Sequence, residues 1–526
     1  EEMRDRTLVN KPLHPLLFAA YPVLFLFAQN LNEDVSFEDV MWPLVACLAV
    51  AGVVYGIAAG LLRSSHKGAL VTTTLVLLFF SYGHILDLFS GRTVFSNDGI
   101  LLPIWGALAV YLIFRIVRSD RDPARLSGNL NLIALVLIAL NLVPILLHHP
   151  AAIAADTGPL AIPGVEDVPD EAKRDIYYLI FDRYPNPQTF ENLYHFDNSD
   201  LFDFLEEKGF YIARDTLANH LKTQHSLASS LNLRYLNYLH DDAAGADDDQ
   251  TPVQQLLQNY KLERYLKSLG YRSIHLGSWF PPTLEDYAAD DNFRFNSWSQ
   301  FSSRLLETTM WRGVRRELGI RDPFDFWVIQ RKHALYQFEK LKEIKELPGP
   351  KFVFAHFLLP HPPYVFDRNG GFIDHEPVDM DKPRMFEQLR YTNKRMKEMV
   401  SDLLAGPDET DPIIVIQSDE GPHPPRYQAT EDFFDWTTAT RAELGEKLRI
   451  LNTYYLPGVD QDRLYPSISP VNSFRLIFDL YFGADMPLLK DRSFVFHDWH
   501  HLYDFTDVTD RLRPERSRAG ESGANE

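Results

Sequence analysis

The sequence predicts a multi-span α-helical membrane domain of five helices followed by an α/β sandwich. Three observations carry this. Apolar runs long enough to cross a bilayer crowd the chain before residue 150, short buried strands alternating with amphipathic helices follow residue 172, and the charge is divided unevenly between the two parts. Of the net charge of −20 on the 526 residues, residues 1–150 contribute −1 and the rest −19. So acidic a second part repels nucleic acid, which is bound through clustered Lys and Arg. The single cysteine, Cys47, lies in an apolar run and excludes both an intramolecular disulfide and a cysteine-based metal site.

The apolar runs come first: residues 13–29, 41–62, 69–89, 99–117 and 130–147. Each approaches or exceeds the ~17–25 residues that cross the hydrocarbon core as a helix. With four further spans behind it, the first run does not read as a cleavable signal peptide. Loop charge sets the orientation. Arg4, Arg6 and Lys11 precede the first run, Arg63 and Lys67 separate the second and third, and Arg115, Arg118, Arg121 and Arg125 separate the fourth and fifth. The alternate loops carry Glu33, Asp34, Glu38 and Asp39, or Asp87, Arg92 and Asp98. The positive-inside rule then places the amino terminus in the cytoplasm and everything after residue 148 outside. Polar residues within the runs are few (Thr72 to Thr74, His84, Asn131, Asn141), and without paired acids they read as packing or anchoring groups rather than a transport path. The expected domains are therefore 1–148 in the membrane, a linker of Ala, Pro and Gly over 149–171, and an extracytoplasmic domain over 172–526.

In that last domain, residues 175–182, 351–359 and 412–419 read as buried strands, with shorter candidates at 209–213, 272–276 and 453–456. Helical periodicity marks 198–208, 253–268, 335–346 and 385–404. Ligands in open α/β sheets collect at the carboxyl ends of the strands. The first strong strand ends in Asp182 and the last in Asp419-Glu420. Carboxylates brought together there repel one another unless a cation lies between them, and acids that cap helices or form salt bridges are the alternative. Thr223 opens what reads as a helix whose buried stripe includes Leu227 and Leu231. A Thr there is either a helix cap or, beside a cation and the helix amides, a nucleophile.

The order of these features carries a resemblance. A strand-end acid, Thr223 within T-x-x-S-L-x-S-x-L, a strand running into His361-Pro362-Pro363-Tyr364, and Ser418-Asp419-x-Gly421 resemble the alkaline phosphatase superfamily. More narrowly, the chain is similar to the sulfatase-like branch that holds lipoteichoic acid synthases and lipid A phosphoethanolamine transferases. The resemblance implies an alkaline-phosphatase/sulfatase-type sandwich on a bacterial-type plasma membrane. It also implies transfer of a phospholipid-derived headgroup (phosphoglycerol or phosphoethanolamine) through a phospho-threonine onto an envelope glycan, lipid or polymer. Carried over by position, the metal ligands are Asp182, Thr223, Asp419 and Glu420, the last standing where the family has His. Carboxylate in place of imidazole favours Mn²⁺ or Mg²⁺, with Ca²⁺ also suited, over Zn²⁺. His423 is counted among the substrate-binding residues, with a metal-ligand role moved to it from Glu420 as the alternative.

His361 inherits contact with phosphoryl oxygens or the leaving group. Asn219 reads either as a phosphoryl partner or as a turn residue, and His356, inside its strand, reads as a core residue. The loop holding His497, His500 and His501 reads as surface or as a second metal site. A sulfatase is disfavoured because Thr stands where sulfatases of this superfamily carry a modified Cys or Ser. The rival readings are a phosphodiesterase-like hydrolase and an inert envelope scaffold.

Overall fold

The computed structural model describes residues 11–31, 35, 37–89, 97–147, 162–165, 168–169, 173–242, 248–258, 260–295, 299–320, 325–373, 382–407 and 410–512. Arg4, Arg6, Glu33, Asp34, Arg92 and most of the expected linker lie outside the described residues. The chain divides into two compact units, Glu1–His149 with Trp298–Val328, and Pro150–Ser297 with Ile329–Glu526.

The first unit holds α1 (His14–Gln29), α2 (Phe37–Leu62), α3 (Ser65–Phe89), α4 (Asp98–Arg118) and α5 (Pro123–Leu147). Helices α2 to α5 begin ahead of their apolar runs, because polar residues contribute to their first turns. Asn97, for example, caps α4 by accepting from the Gly99 N–H. Helices α2 to α5 are long and apolar enough to cross a membrane, whereas α1 has 16 residues. Its ends are nevertheless fixed within the bundle. Asn131 of α5 accepts from the N–H groups of Leu13 and His14 at 3.0 and 2.7 Å. His14 Nδ1 lies 2.6 Å from the Thr73 hydroxyl of α3. At the other end, Val23 of α1 packs with Val40 of α2. Two of the intramembrane polar residues thus serve packing.

The same unit receives a return of the chain that no apolar run announces. Helices Gln300–Glu307 and Trp311–Glu317 belong to it, with Phe301 and Leu305 joining Val23 and Val40 in one apolar cluster. The sequence places this stretch in the extracytoplasmic domain; the structure groups it with the first five helices. Met310 N–H donates to Phe79 O at 2.8 Å, and Gly83 N–H to Thr308 O at 2.9 Å. A Cβ on Gly83 would lie 2.4 Å from the Glu307 carbonyl, so this approach requires glycine.

Among the described residues, the second unit is built on a seven-stranded sheet of order β2-β7-β6-β1-β5-β3-β4. Its strands are β1 (Ile176–Phe181), β2 (Tyr211–Ile212), β3 (Arg272–Leu276), β4 (Asp291–Phe293), β5 (Lys351–Phe357), β6 (Ile413–Gln417) and β7 (Asn452–Tyr455). The three strong strands of the sequence are its centre, with β1 parallel to both β5 and β6 and every residue of the three buried. Near-continuous apolar sequence is what burial on both faces demands. Strand β7 runs antiparallel to β6, and β2 antiparallel to β7, so the sheet is mixed. The periodic stretch 253–268 is two helices, Thr251–Gln255 and Lys261–Ser268, and the helix expected from residue 335 starts at Phe326.

Candidate metal centre

Parallel neighbours deliver their carboxyl ends to one place. Asp182 follows β1 directly and its N–H donates to Phe357 O at the end of β5. Asp419 lies two residues beyond β6. Ser418 ties the ends of β1 and β6 together: its hydroxyl accepts from the Tyr184 N–H at 2.9 Å and donates to Glu420 O at 2.8 Å. Gly421 lets the next turn pass. Its N–H donates to Lys447 O at 2.7 Å, and a Cβ there would lie 2.2 Å from Glu446 O. The Ser-Asp-x-Gly spacing thus has a local physical cause.

A residue read as core completes the group. His356 pairs in register with Ile180 of β1, and its Nε2 lies 3.6 Å from Asp182 Oδ2. Nδ1 is 2.8 Å from the Thr283 hydroxyl, a partner that fixes the ring and leaves Nε2 for another ligand. Asp182, His356 and Asp419 are all buried, and each offers an atom within 4.8 Å of the others. Asp182 Oδ1, both Asp419 oxygens and His356 Nε2 are buried without a hydrogen-bond partner. Burial, then the charges of Asp182 and Glu420, push the Asp419 carboxyl well above the usual range. Burial also raises Asp182, but His361 and His356 outweigh it and bring the carboxyl below its ordinary value. Orphaned lone pairs converging on one point are costly unless a cation satisfies them, and two carboxylates with an imidazole are a donor set for a divalent ion.

Thr223 is the first residue of the helix Thr223–Leu231, and the cap position belongs to Lys222. The capping alternative therefore does not describe it. The Thr223 side chain and the Glu420 amide are the polar groups that oppose the rise in the Asp419 pKa. Leu227 and Leu231 are buried as the periodicity requires. Thr223 thus stands beside the three-residue group at a helix start.

Glu420 turns elsewhere. Its Oε1 lies 2.7 Å from Lys447 Nζ, 3.1 Å from Arg183 Nε and 3.3 Å from His423 Nε2. Burial raises its pKa, but Lys447, then His423 and Arg183, hold it well below the carboxylate range. Glu420 and His423 therefore form a second, cation-rich cluster and do not join the group of Asp182, His356 and Asp419. His361 is close enough to Asp182 to lower its pKa. Burial, then Arg183, pushes His361 itself down to about 4, with Asp182 opposing. Asn219 spends its amide on the backbone, donating to Arg492 O and accepting from Val471 N–H, both at 2.8 Å.

His497, Asp498 and His501 form a second group with ligand atoms within 4.8 Å, partly exposed; His500 contributes only its backbone N–H, to Asp498. Lys222, which the sequence reading passes over, is buried with its ammonium 3.9 Å from the centre of the Trp499 ring. Burial, then Lys447, lowers it to about 7. A polar residue in an otherwise apolar strand was the one sequence signal for His356. Nothing in the sequence marked Lys222 beyond its place next to Thr223.

No protein-family profile matches the chain, and no curated protein matches it. Solved structures do. The C-terminal periplasmic domain of EcEptC from Escherichia coli aligns at 14 % identity over 68 % of this chain and 99 % of its own, with a TM-score of 0.42. The integral membrane lipooligosaccharide phosphoethanolamine transferase A (EptA) from Neisseria meningitidis aligns at 10 % identity over 91 % of this chain and 97 % of its own, with a TM-score of 0.38. The lipoteichoic acid synthase LtaP from Listeria monocytogenes aligns at 15 % identity over 65 % of this chain and 82 % of its own, with a TM-score of 0.36.

Proposed function

We propose that the protein is a membrane-anchored, metal-dependent phosphotransferase that moves a phospholipid-derived headgroup onto an extracytoplasmic envelope acceptor. One observation carries the reading: buried, unpartnered ligand atoms of Asp182, His356 and Asp419 beside a hydroxyl at a helix start. A divalent ion held there would lower the pKa of a hydroxyl and neutralise charge on phosphoryl oxygens. Thr223 Oγ attacks phosphorus, the bond from phosphorus to the diacylglycerol oxygen breaks, and the threonine proton ends on the departing alkoxide. His361 relays it: with Nδ1–H donated to Pro362 O, Nε2 keeps a lone pair for the transfer. The helix amides at Thr223 favour the negative charge of the phosphorylated threonine. An acceptor hydroxyl then attacks the same phosphorus, the bond from phosphorus to Thr223 Oγ breaks, and the acceptor's proton returns through His361 to that oxygen.

With His356 in the ligand set, an oxygen-only site no longer describes the centre. A mixed nitrogen and oxygen set suits Mn²⁺ and Zn²⁺ alike, so the preference for Mn²⁺ or Mg²⁺ loses its basis in Glu420. The test uses the full chain in detergent with phospholipids radiolabelled in the headgroup. Wild type retains label, Thr223→Ala retains none, and His356→Gln loses metal affinity while its melting temperature stays within a few degrees. Near-normal turnover by Thr223→Ala overturns the mechanism. Label released to water with no acceptor product points to a hydrolase.

A further inference from the structure

A cavity of about 130 Å³ is lined by Arg183, the chain neighbour of Asp182, with Phe190, Tyr194, Tyr364, His423 and Glu446 among others. A single water needs only ~10–15 Å³ of such space, so a headgroup-sized ligand fits. Arg183 occupies the position after Asp182 with φ +59°, a left-handed conformation that a residue with a Cβ rarely adopts. Among the described residues its hydrogen bond runs from Nε to Glu420, and its two Nη groups make none. Its side chain is 17 % exposed, against 2 % for Glu420 and 0 % for Lys447, so the guanidinium is the member of the cluster that reaches open space. Arginine presents a planar fork that matches two oxygens of a phosphate, and the low-dielectric walls strengthen that attraction.

We propose that this cavity is an anion subsite in which Arg183 binds the phosphoryl oxygens of the substrate, and that Glu420 is a positioning residue that holds Arg183 there. The identity of the anion as a phosphodiester rests on the phosphotransferase reading; the anion site itself does not. One Glu420 oxygen faces Lys447, Arg183 and His423 together, so this carboxylate offsets part of the positive charge and fixes the guanidinium at its Nε edge. The fork is left for the ligand. The departure from the family pattern at Glu420 is then an exchange of duties: imidazole for the metal comes from β5 through His356, and the residue after Asp419 aligns the phosphate-binding arginine. Glu420 Oε2 is buried without a partner, so a metal-ligand role is the rival. Glu446, which also lines the cavity, accepts from Tyr194. That acid places the anion at the Arg183 end.

The test titrates inorganic phosphate into the full chain in detergent with metal chelated, by calorimetry, and repeats it with a water-soluble short-chain phospholipid. Wild type binds phosphate. Arg183→Gln weakens it by roughly tenfold or more, and Arg183→Lys restores part of the loss. Glu420→Gln weakens it several-fold. Metal titrations of Arg183→Gln and Glu420→Gln match wild type, and with the short-chain lipid Arg183→Gln raises KM more than it lowers kcat. Melting curves exclude a folding defect, and Arg183→Lys stands in where Arg183→Gln fails to fold. No phosphate binding by wild type, or unchanged binding by the arginine variants, overturns the subsite. Loss of metal in Glu420→Gln overturns the positioning role. Intact metal binding in His356→Gln with lost phosphate binding in Arg183→Gln would sink the metal centre and leave the subsite standing. Lipid binding without phosphate binding would mean that the cavity reads the acyl-linked part, against the proposal.

Discussion

Glu263 is fully buried, beside a second acid, Asp286. Burial and then the Asp286 charge push its carboxyl up to about 8, from an ordinary 4.5. An acid whose pKa is raised by folding favours the folded state while both forms are protonated, below about 4.5. That contribution is lost as pH rises towards 8, because the unfolded chain releases its proton first. Stability should therefore fall across pH 5 to 8 with a slope of up to ~1.4 kcal/mol per pH unit. Glu263→Gln keeps the shape without the charge and should flatten that slope. Denaturant midpoints at pH 5, 6.5 and 8 check it, and parallel slopes in the two proteins would reject the assignment. In the group of Asp182, His356 and Asp419 the same electrostatics would be met by a bound cation rather than by a proton.

At the scale of elements, the site depends on how closely strand ends and loops approach. Gly421 is such a close approach, between Asp419 and the helix Arg441–Leu448. Gly421→Ala must move the Glu446 and Lys447 carbonyls or its own turn, a local overpacking that costs on the order of 1–3 kcal/mol. Because the turn carries Asp419, metal affinity should fall together with melting temperature. A stable variant with unchanged metal binding would mean that the turn has room to relax. The elements that build this place were legible where burial is two-sided: β1, β5 and β6 announce themselves as apolar runs. Asp182 and Asp419 followed, since a strand end is a position in sequence. His356 did not, because an apolar run says nothing about which neighbour a strand pairs with, and only the register with Ile180 brings its ring to Asp182. The side-chain direction of Glu420 was equally hidden. Its partners Arg183 and Lys447 arrive from elements 237 residues before it and, through the tight turn at Gly421, from the helix after it. The short β4, Asp291–Phe293, has too little apolar sequence to be read.

At the scale of the whole chain, the loops divide between the two ends of the first unit. The starts of α1 and α5 meet through Asn131, and Thr73 of α3 reaches His14, so these three helices begin at one end of the first unit. The end of α3 and the start of α4 lie at the other. There Arg312 of the return segment pairs with Asp87 at 2.7 Å, and the Tyr82 hydroxyl donates to Asp98 at 2.6 Å. The alternation is what odd-numbered crossings require, and it gives the short α1 a full place in the bundle. The return segment, which comes from the chain after α5, meets the ends of α3 and α4 that share its side. With Arg63, Lys67, Arg115, Arg118, Arg121 and Arg125 in the opposite loops, the positive-inside rule predicts that those loops face the cytoplasm. The lone Cys47 makes this testable by replacing it with Ser and adding one cysteine at a time. On intact cells, a membrane-impermeant maleimide should label Gly319→Cys in the return segment and Ser401→Cys in the second unit, both exposed positions, and spare the equally exposed Asp120→Cys until the membrane is opened. Labelling of Asp120→Cys alone would invert the protein. Labelling of Ser401→Cys without Gly319→Cys would detach the return segment from the outer ends of α3 and α4.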